Sequence, residues 1–204
     1  MLKARIAVFV SGGGTNLQAL IDAQKSGALK DGEIVLVISS KEGVYALARA
    51  EENNIDSKVV VRRDFDSQEE YEEKLSQFLE EKEIDLIVLA GFMSILSGSF
   101  TGRYAGRIIN VHPSLIPSFC GKGFYGLKVH EAALEYGVKV TGATVHFVNE
   151  ITDGGRIIMQ KAVEVQPDDT AKTLQRRVME EAEWKLLPMA AQQICEEIAR
   201  RKMG

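Results

Sequence analysis

Asn110 and His112 stand two positions apart in the run Asn110-Val111-His112-Pro113-Ser114-Leu115-Ile116-Pro117. In an extended strand, residues i and i+2 share a face, so a side-chain amide and an imidazole converge on one spot. Two donors aimed at one point can hold an oxygen that gains negative charge as a nucleophile adds to a carbonyl. Pro113 and Pro117 stiffen the chain that follows. Asp153 opens the turn Asp153-Gly154-Gly155, from which a carboxylate can reach back toward a strand end. An aspartate before glycine is ordinarily just a turn residue, and it gains meaning only beside the Asn110–His112 pair. There an ionised Asp153 would favour the imidazolium, raising the His112 pKa, and could accept a proton directly or through water.

A second feature is Ser11-Gly12-Gly13-Gly14-Thr15-Asn16, between an apolar run and a helical pattern. Glycines let backbone approach a ligand closely, and the N-terminus of the following helix offers unpaired N–H groups to an anion. Thr15 and Asn16 add side-chain donors. Leu17 occupies the third glycine position of a dinucleotide fingerprint, and no Gly-Lys-Ser/Thr follows, so neither a dinucleotide nor a nucleoside triphosphate fits. A small phosphate monoester fits better. His146, in residues 140–148, shares a strand face with Thr144 and Val148. Read alone it is a structural histidine, and His130, in a helical pattern over 128–136, more so.

The elements that must position these residues alternate in kind. Residues 6–10, 33–40, 58–61 and 85–90 are short runs rich in Val, Ile and Leu and read as buried strands. Residues 17–25, 45–53 and 68–82 read as helices. In the third, Tyr71, Leu75, Phe78 and Leu79 form one apolar stripe, and Glu69, Glu70, Glu72, Glu73, Glu80 and Glu81 read as a solvated outer face. Residues 108–111 form a fifth strand. Residues 141–148 and 156–165 follow as longer strands with little between them, a hairpin or mixed section. Residues 170–202 are helical, with a break or kink expected at Pro188. The fold class is therefore α/β: a doubly wound, mostly parallel, Rossmann-like sheet with a mixed C-terminal section and a C-terminal helix. One domain is expected over 1–204, with a phosphate-binding half at 1–100 and a catalytic half at 101–204. In such a sheet ligands bind beyond the carboxyl ends of the strands. Residues 11–16, 91–93 and 110–113 all land there.

Composition narrows the partners. The chain has 204 residues, 45% hydrophobic and 26% charged, with a net charge of −4. That suffices for a core without disulfides, and the scattered Lys and Arg leave no basic stripe for nucleic acid. Cys120 and Cys195 are isolated and the three histidines dispersed, so no zinc-ligand spacing exists and no metal is expected. The N-terminal stretch 1–5 runs into the apolar residues 6–10, too short for a signal segment or a membrane span. A reducing, cytoplasmic setting is expected.

Taken together, SGGGTNLQALI, DLIVLAGFMSIL, NVHPSLIPSF, GFYGLKVHEA, VTGATVHFV and the later Asp-Gly-Gly closely resemble the folate-dependent formyltransferases, and among them the glycinamide ribonucleotide transformylases of purine biosynthesis. The likeness runs nearly the whole chain. It implies transfer of the formyl group of 10-formyltetrahydrofolate, as co-substrate, to the amine of glycinamide ribonucleotide. It makes Asn110, His112 and Asp153 the catalytic trio, and Gly14, Thr15 and Asn16 the phosphate site, with Glu183 on the substrate side. It places the folate pocket at Met93, Ser94, Ile95 and Leu96 together with Asn149, Glu150, Ile151, Thr152 and Asp153, with Asn110 at its inner end. Gln68 and Ser94 stand where the family often has basic residues, which implies a less firmly anchored folate tail. Cys120 and Arg156 stand where it usually has proline. The implied partners are the two small molecules, with no nucleic acid or membrane, in a monomer or homodimer. Formyltetrahydrofolate deformylase is the nearer rival, although it usually carries an N-terminal regulatory module, and here the first strand starts at once. Methionyl-tRNA formyltransferase would need a further C-terminal domain and a basic surface. A non-catalytic phosphosugar-binding protein would need the glycine-rich turn but not the trio.

Overall fold

Apolar, β-branched runs pair into a single seven-stranded sheet. In the computed structural model, which describes residues 3–203, the strands are β1 (Ala4–Val10), β2 (Gly32–Ser39), β3 (Asp56–Val59), β4 (Leu86–Leu89), β5 (Ile108–His112), β6 (Val140–Phe147) and β7 (Ile157–Glu164). Their order is β3-β2-β1-β4-β5-β6-β7. The first five pair in parallel, and β6 and β7 join antiparallel. Met1, Leu2 and Gly204 lie outside the described residues, so the expectation for the stretch 1–5 falls partly outside them.

The helices are α1 (Thr15–Ser26), α2 (Tyr45–Glu52), α3 (Gln68–Glu81), α4 (Gly98–Arg103), α5 (Leu127–Tyr136), α6 (Ala171–Val178) and α7 (Trp184–Met203). Strand alternation divides β1 between two cores. Ile6, Val8 and Val10 pack in one core with Leu17 of α1 and Leu187 of α7, while Ala7 and Phe9 join Tyr71, Leu75 and Leu79 of α3 in the other. Both faces are covered, which is why the central strands read as continuous apolar runs.

The structure differs from expectation at four places. β3 lies at 56–59 instead of 58–61. It is an edge strand, so its charged residues are tolerated there, and Asp56 pairs with Lys82 at 2.8 Å. Helix α4, with two glycines in six residues, gave no helical signal. It forms because Ser97 caps it, accepting from the Phe100 N–H, and because Phe100 and Thr101 are buried. Pro188 does not break the last helix. The irregularity sits upstream, in a π turn at Met179–Glu183, and α7 runs through the proline. Proline forgoes one hydrogen bond, to the Trp184 carbonyl, and that carbonyl falls at the junction with the wider turn. Finally, Glu72 does not belong to a solvated face; it is 6% exposed. Being next to Tyr71, it sits at the margin of the apolar stripe.

Candidate active site

The carboxyl end of β5 carries Asn110 and His112. The antiparallel register sets Asn110 opposite His146 and His112 opposite Thr144 on β6. Side chains opposite each other on one sheet face touch, and Asn110 Nδ2 lies 3.3 Å from His146 Nε2. His146 Nδ1 lies 2.7 Å from the Phe147 carbonyl and donates to it, so Nε2 is the ring nitrogen turned toward Asn110. His112 uses its other nitrogen: Nε2–H donates to the Phe119 carbonyl at 2.9 Å.

Asp153 enters between the two imidazoles. Its Oδ2 is 3.5 Å from His112 Nδ1 and its Oδ1 is 3.6 Å from His146 Nε2. Oδ2 also accepts from the Gly121 N–H at 2.8 Å, joining this loop to residues 117–121. Asp153 adopts a left-handed φ of 55°, costly for a residue with a Cβ and held only where the surroundings enforce it. Two residues on, Gly155 runs so close to β6 that a Cβ there would collide with the Phe147 carbonyl.

Burial and charge compete at this cluster. Burial is the largest influence on His112 and leaves its pKa below the usual 6.5, although Asp153 pulls it upward. The net direction is opposite to the rise expected from Asp153 alone, since a nearly enclosed imidazole loses more hydration than one carboxylate restores. Burial also pushes the Asp153 carboxyl up, but His146, His112 and the Gly121 N–H outweigh it and hold the group below the usual carboxylate range. The resting site thus pairs a carboxylate with a largely neutral imidazole at neutral pH.

The glycine-rich turn stands at the neighbouring strand end. Gly14 has φ 71°, and a Cβ on it would lie 2.7 Å from that of Ala46, so α2 packs directly on the loop. Gly12 accepts from the Ala46 N–H at 3.2 Å, and Gly13 accepts from Arg49 Nε at 2.9 Å. At Gly12 and Gly13 themselves a Cβ would meet nothing within 4 Å, so the turn is open toward solvent. Thr15 begins α1 half-buried. Asn16 points inward, its Nδ2 donating to Glu183 Oε2 at 2.7 Å, so its amide is committed to Glu183 and only its backbone N–H serves the helix end.

Two loops flank the trio. Met93 is fixed by its N–H donating to Ser11 Oγ at 2.8 Å, and Ser11 in turn bonds Ser40. Met93, Ile95 and, on the second loop, Ile151 are exposed apolar side chains. Leu96 packs inward, and Ser94 lies beside the Tyr71 hydroxyl. Asn149 accepts from the Ile151 N–H, Thr152 is exposed, and Glu150 lies against Gly98, bringing the two loops together. Gln68 is tied inward to Arg62, Glu72 and the Ile95 carbonyl. Sequence reasoning did not assign three members of these contacts to the site: it took His146 as structural and Glu72 as solvated, and passed over Arg49. Only His146 had a signal, its shared face with Thr144, which becomes decisive once β5 and β6 are paired.

Among the described residues no three His, Cys, Asp or Glu side chains gather where a metal could be held. Among the described residues no helix is long and apolar enough to cross a membrane. An amide, an imidazole and a carboxylate thus gather at the carboxyl end of a doubly wound sheet, beside an open glycine-rich turn, the place where such sheets bind ligands. The chain belongs to the formyl transferase family, whose model matches residues 4–191. The phosphoribosylglycinamide formyltransferase of Haemophilus influenzae is 42% identical over 185 residues, 91% of this chain and 84% of that protein. The trifunctional purine biosynthetic protein adenosine-3 of Gallus gallus is 47% identical over 190 residues, 93% of this chain but only 18% of that protein, so the chain spans about a fifth of its length. Among solved structures, glycinamide ribonucleotide transformylase 1 from Symbiobacterium toebii superposes with a TM-score of 0.89 at 38% identity, covering 96% of this chain and 89% of that one.

Proposed function

We propose that this chain transfers the formyl group of 10-formyltetrahydrofolate to the amine of 5′-phosphoribosylglycinamide, giving the N-formyl product and tetrahydrofolate, in de novo purine synthesis. The observation that carries the reading is the meeting of Asn110, His112 and Asp153 at one strand end, with Asp153 Oδ2 3.5 Å from His112 Nδ1. The proposed unit is a single cytoplasmic domain. Its first half offers the phosphate site at Gly14, Thr15 and Asn16. Its second half offers the trio, Glu183 on the ribonucleotide side, and the 149–153 wall that faces Met93–Leu96 across the folate cleft.

The chemistry follows from the groups present. The substrate amine attacks the formyl carbon, a C–N bond forms, and the carbonyl electron pair moves onto oxygen. The Asn110 amide faces that oxygen and stabilises it as charge develops. The proton released by the amine passes to the His112–Asp153 pair, where Nδ1 is the ring nitrogen left free by the Phe119 bond. The imidazolium so formed stands between a carboxylate and the new alkoxide, which offsets the cost of charging a buried ring. The proton then goes to N10 of the departing tetrahydrofolate as the carbonyl re-forms and the C–N10 bond breaks. No proton is gained or lost overall, and the nucleophile belongs to the substrate.

The test mixes protein, 10-formyltetrahydrofolate and the ribonucleotide, with controls lacking each. Loss of the formyl donor that requires the amine supports transfer. Equal loss without the amine would make the protein a hydrolase, and binding of the ribonucleotide with no loss would make it a binding module.

A further inference from the structure

The stretch 93–97 has no helix or strand of its own, yet it is fixed at three points by buried or half-buried side chains. Met93 N–H is held by Ser11 Oγ. The Ile95 carbonyl accepts from Gln68 Nε2 at 3.1 Å. Ser97 is held by Glu72: its backbone N–H donates to Oε1 at 2.6 Å and its hydroxyl to Oε2 at 2.5 Å. Glu72 Oε1 also accepts from Gln68 Nε2 at 2.6 Å, and Gln68 Oε1 accepts from Arg62 Nε at 2.8 Å. A relay Arg62–Gln68–Glu72 thus runs along the start of α3 and ends on this loop.

A carboxylate that is 6% exposed loses most of its hydration, so it persists there only because these donors replace the water. Bonds to an ionised acceptor are the stronger kind and set geometry closely. Met93 and Ile95, both on this loop, are exposed, so the backbone anchors are what the structure shows holding them in place. Ser97 in addition caps α4, and Gly98, the first residue of α4, abuts Glu150 of the opposite loop. The position of Ser97 therefore bears on how these two loops meet.

We infer that Glu72 is a positioning residue for the formyl donor: held in the relay, its buried carboxylate shapes the 93–97 wall without touching either substrate. The inference rests on the proposed function, since it takes this wall as part of the folate cleft. It accounts for a glutamate being buried on a helix whose other glutamates face water, and it gives Gln68 a part in building the cleft from beneath.

The experiment compares Glu72→Ala, Glu72→Gln and Ser97→Ala with the parent protein. The Kd for tetrahydrofolate is read from intrinsic fluorescence, and KM for each substrate from steady-state rates. In Glu72→Ala the folate Kd and the KM for the formyl donor should rise on the order of tenfold, as expected for loss of hydrogen bonds to a charged group. The ribonucleotide KM and kcat should stay within about twofold of the parent. Glu72→Gln keeps one acceptor and should recover part of the loss. Ser97→Ala, which leaves the carboxylate in place, should show a smaller rise of the same kind and keeps the test open if Glu72→Ala fails to fold. A lowered melting temperature with both folate constants unmoved would overturn the inference, as would equal rises for the two substrates. Because folate binding is read without turnover, absence of formyl transfer in the parent protein would count against the proposed function and leave the Glu72 result standing.

Discussion

Asn16 and Glu183, 167 positions apart, meet in the interior, where Asn16 Nδ2 donates to Glu183 Oε2 at 2.7 Å. This contact joins the glycine-rich turn, at the start of α1, to the π turn that precedes α7. Glu183 is the one acidic side chain of that turn to be buried, and single π turns inside helices are frequent at functional sites.

Burial raises the Glu183 pKa above 4.5, and Asn16 opposes it only in part. A carboxyl whose folded pKa exceeds its unfolded value binds its proton more tightly in the fold. Its contribution is full below 4.5 and is lost as pH rises through the folded pKa. Glu183→Gln resembles the protonated form at every pH, so its melting temperature should gain on the parent's across that window. Asn16→Ala strands an ionised carboxylate, which should cost about 1.5–3 kcal/mol above the window and less below it. Melting curves from pH 4 to 8 read both trends. Curves that stay parallel would show that Glu183 does not titrate differently on folding.

The three glycines of the turn should separate binding from folding. Gly14→Ala meets both a left-handed φ and the Ala46 side chain, and should destabilise by about 2–4 kcal/mol from strain and overpacking together. Gly12→Ala and Gly13→Ala meet open space and should melt near the parent while raising the ribonucleotide KM, because the added methyl occupies ground a phosphate would use. Thermal melts and steady-state rates decide. An unchanged ribonucleotide KM in both open-site variants would remove the phosphate from this turn.

Much of this was legible in the sequence for a physical reason. Central parallel strands are buried on two faces, so β1, β2 and β4 announced themselves as apolar runs. Asn110 and His112 were legible because period-two spacing alone sets them on one face. The remainder depended on through-space partners. The acceptor role of Glu72 requires Ser97, 25 positions away, and nothing in the spacing of α3 distinguishes Glu72 from its solvated neighbours. The direction of the His112 pKa depends on how deeply the ring is enclosed, a property of the finished fold. The uninterrupted α7 depends on the π turn absorbing what Pro188 disturbs.

The pH dependence should report the His112–Asp153 pair. With His112 acting as proton acceptor and its pKa held below 6.5 by burial in the free protein, the kcat/KM–pH profile should fall on the acid side with a midpoint below 6.5. Asp153 pulls that pKa up, so Asp153→Asn should move the acid limb to still lower pH while reducing kcat. An acid limb in the same place in both proteins would assign it to another group.

The central claim is that Asn110 and His112 act together on one developing oxyanion and its proton. Removal of one such donor typically lowers turnover by about 10²–10³-fold. The most direct measurement is single-turnover formyl transfer by Asn110→Ala, His112→Ala and the double variant, beside ribonucleotide affinity determined by calorimetry. Each single variant should lose at least that much rate with near-parental affinity, and the double variant should lose well under the product of the two, because the groups work as a unit. A folded His112→Ala protein that transfers formyl at close to the parental rate would contradict the account.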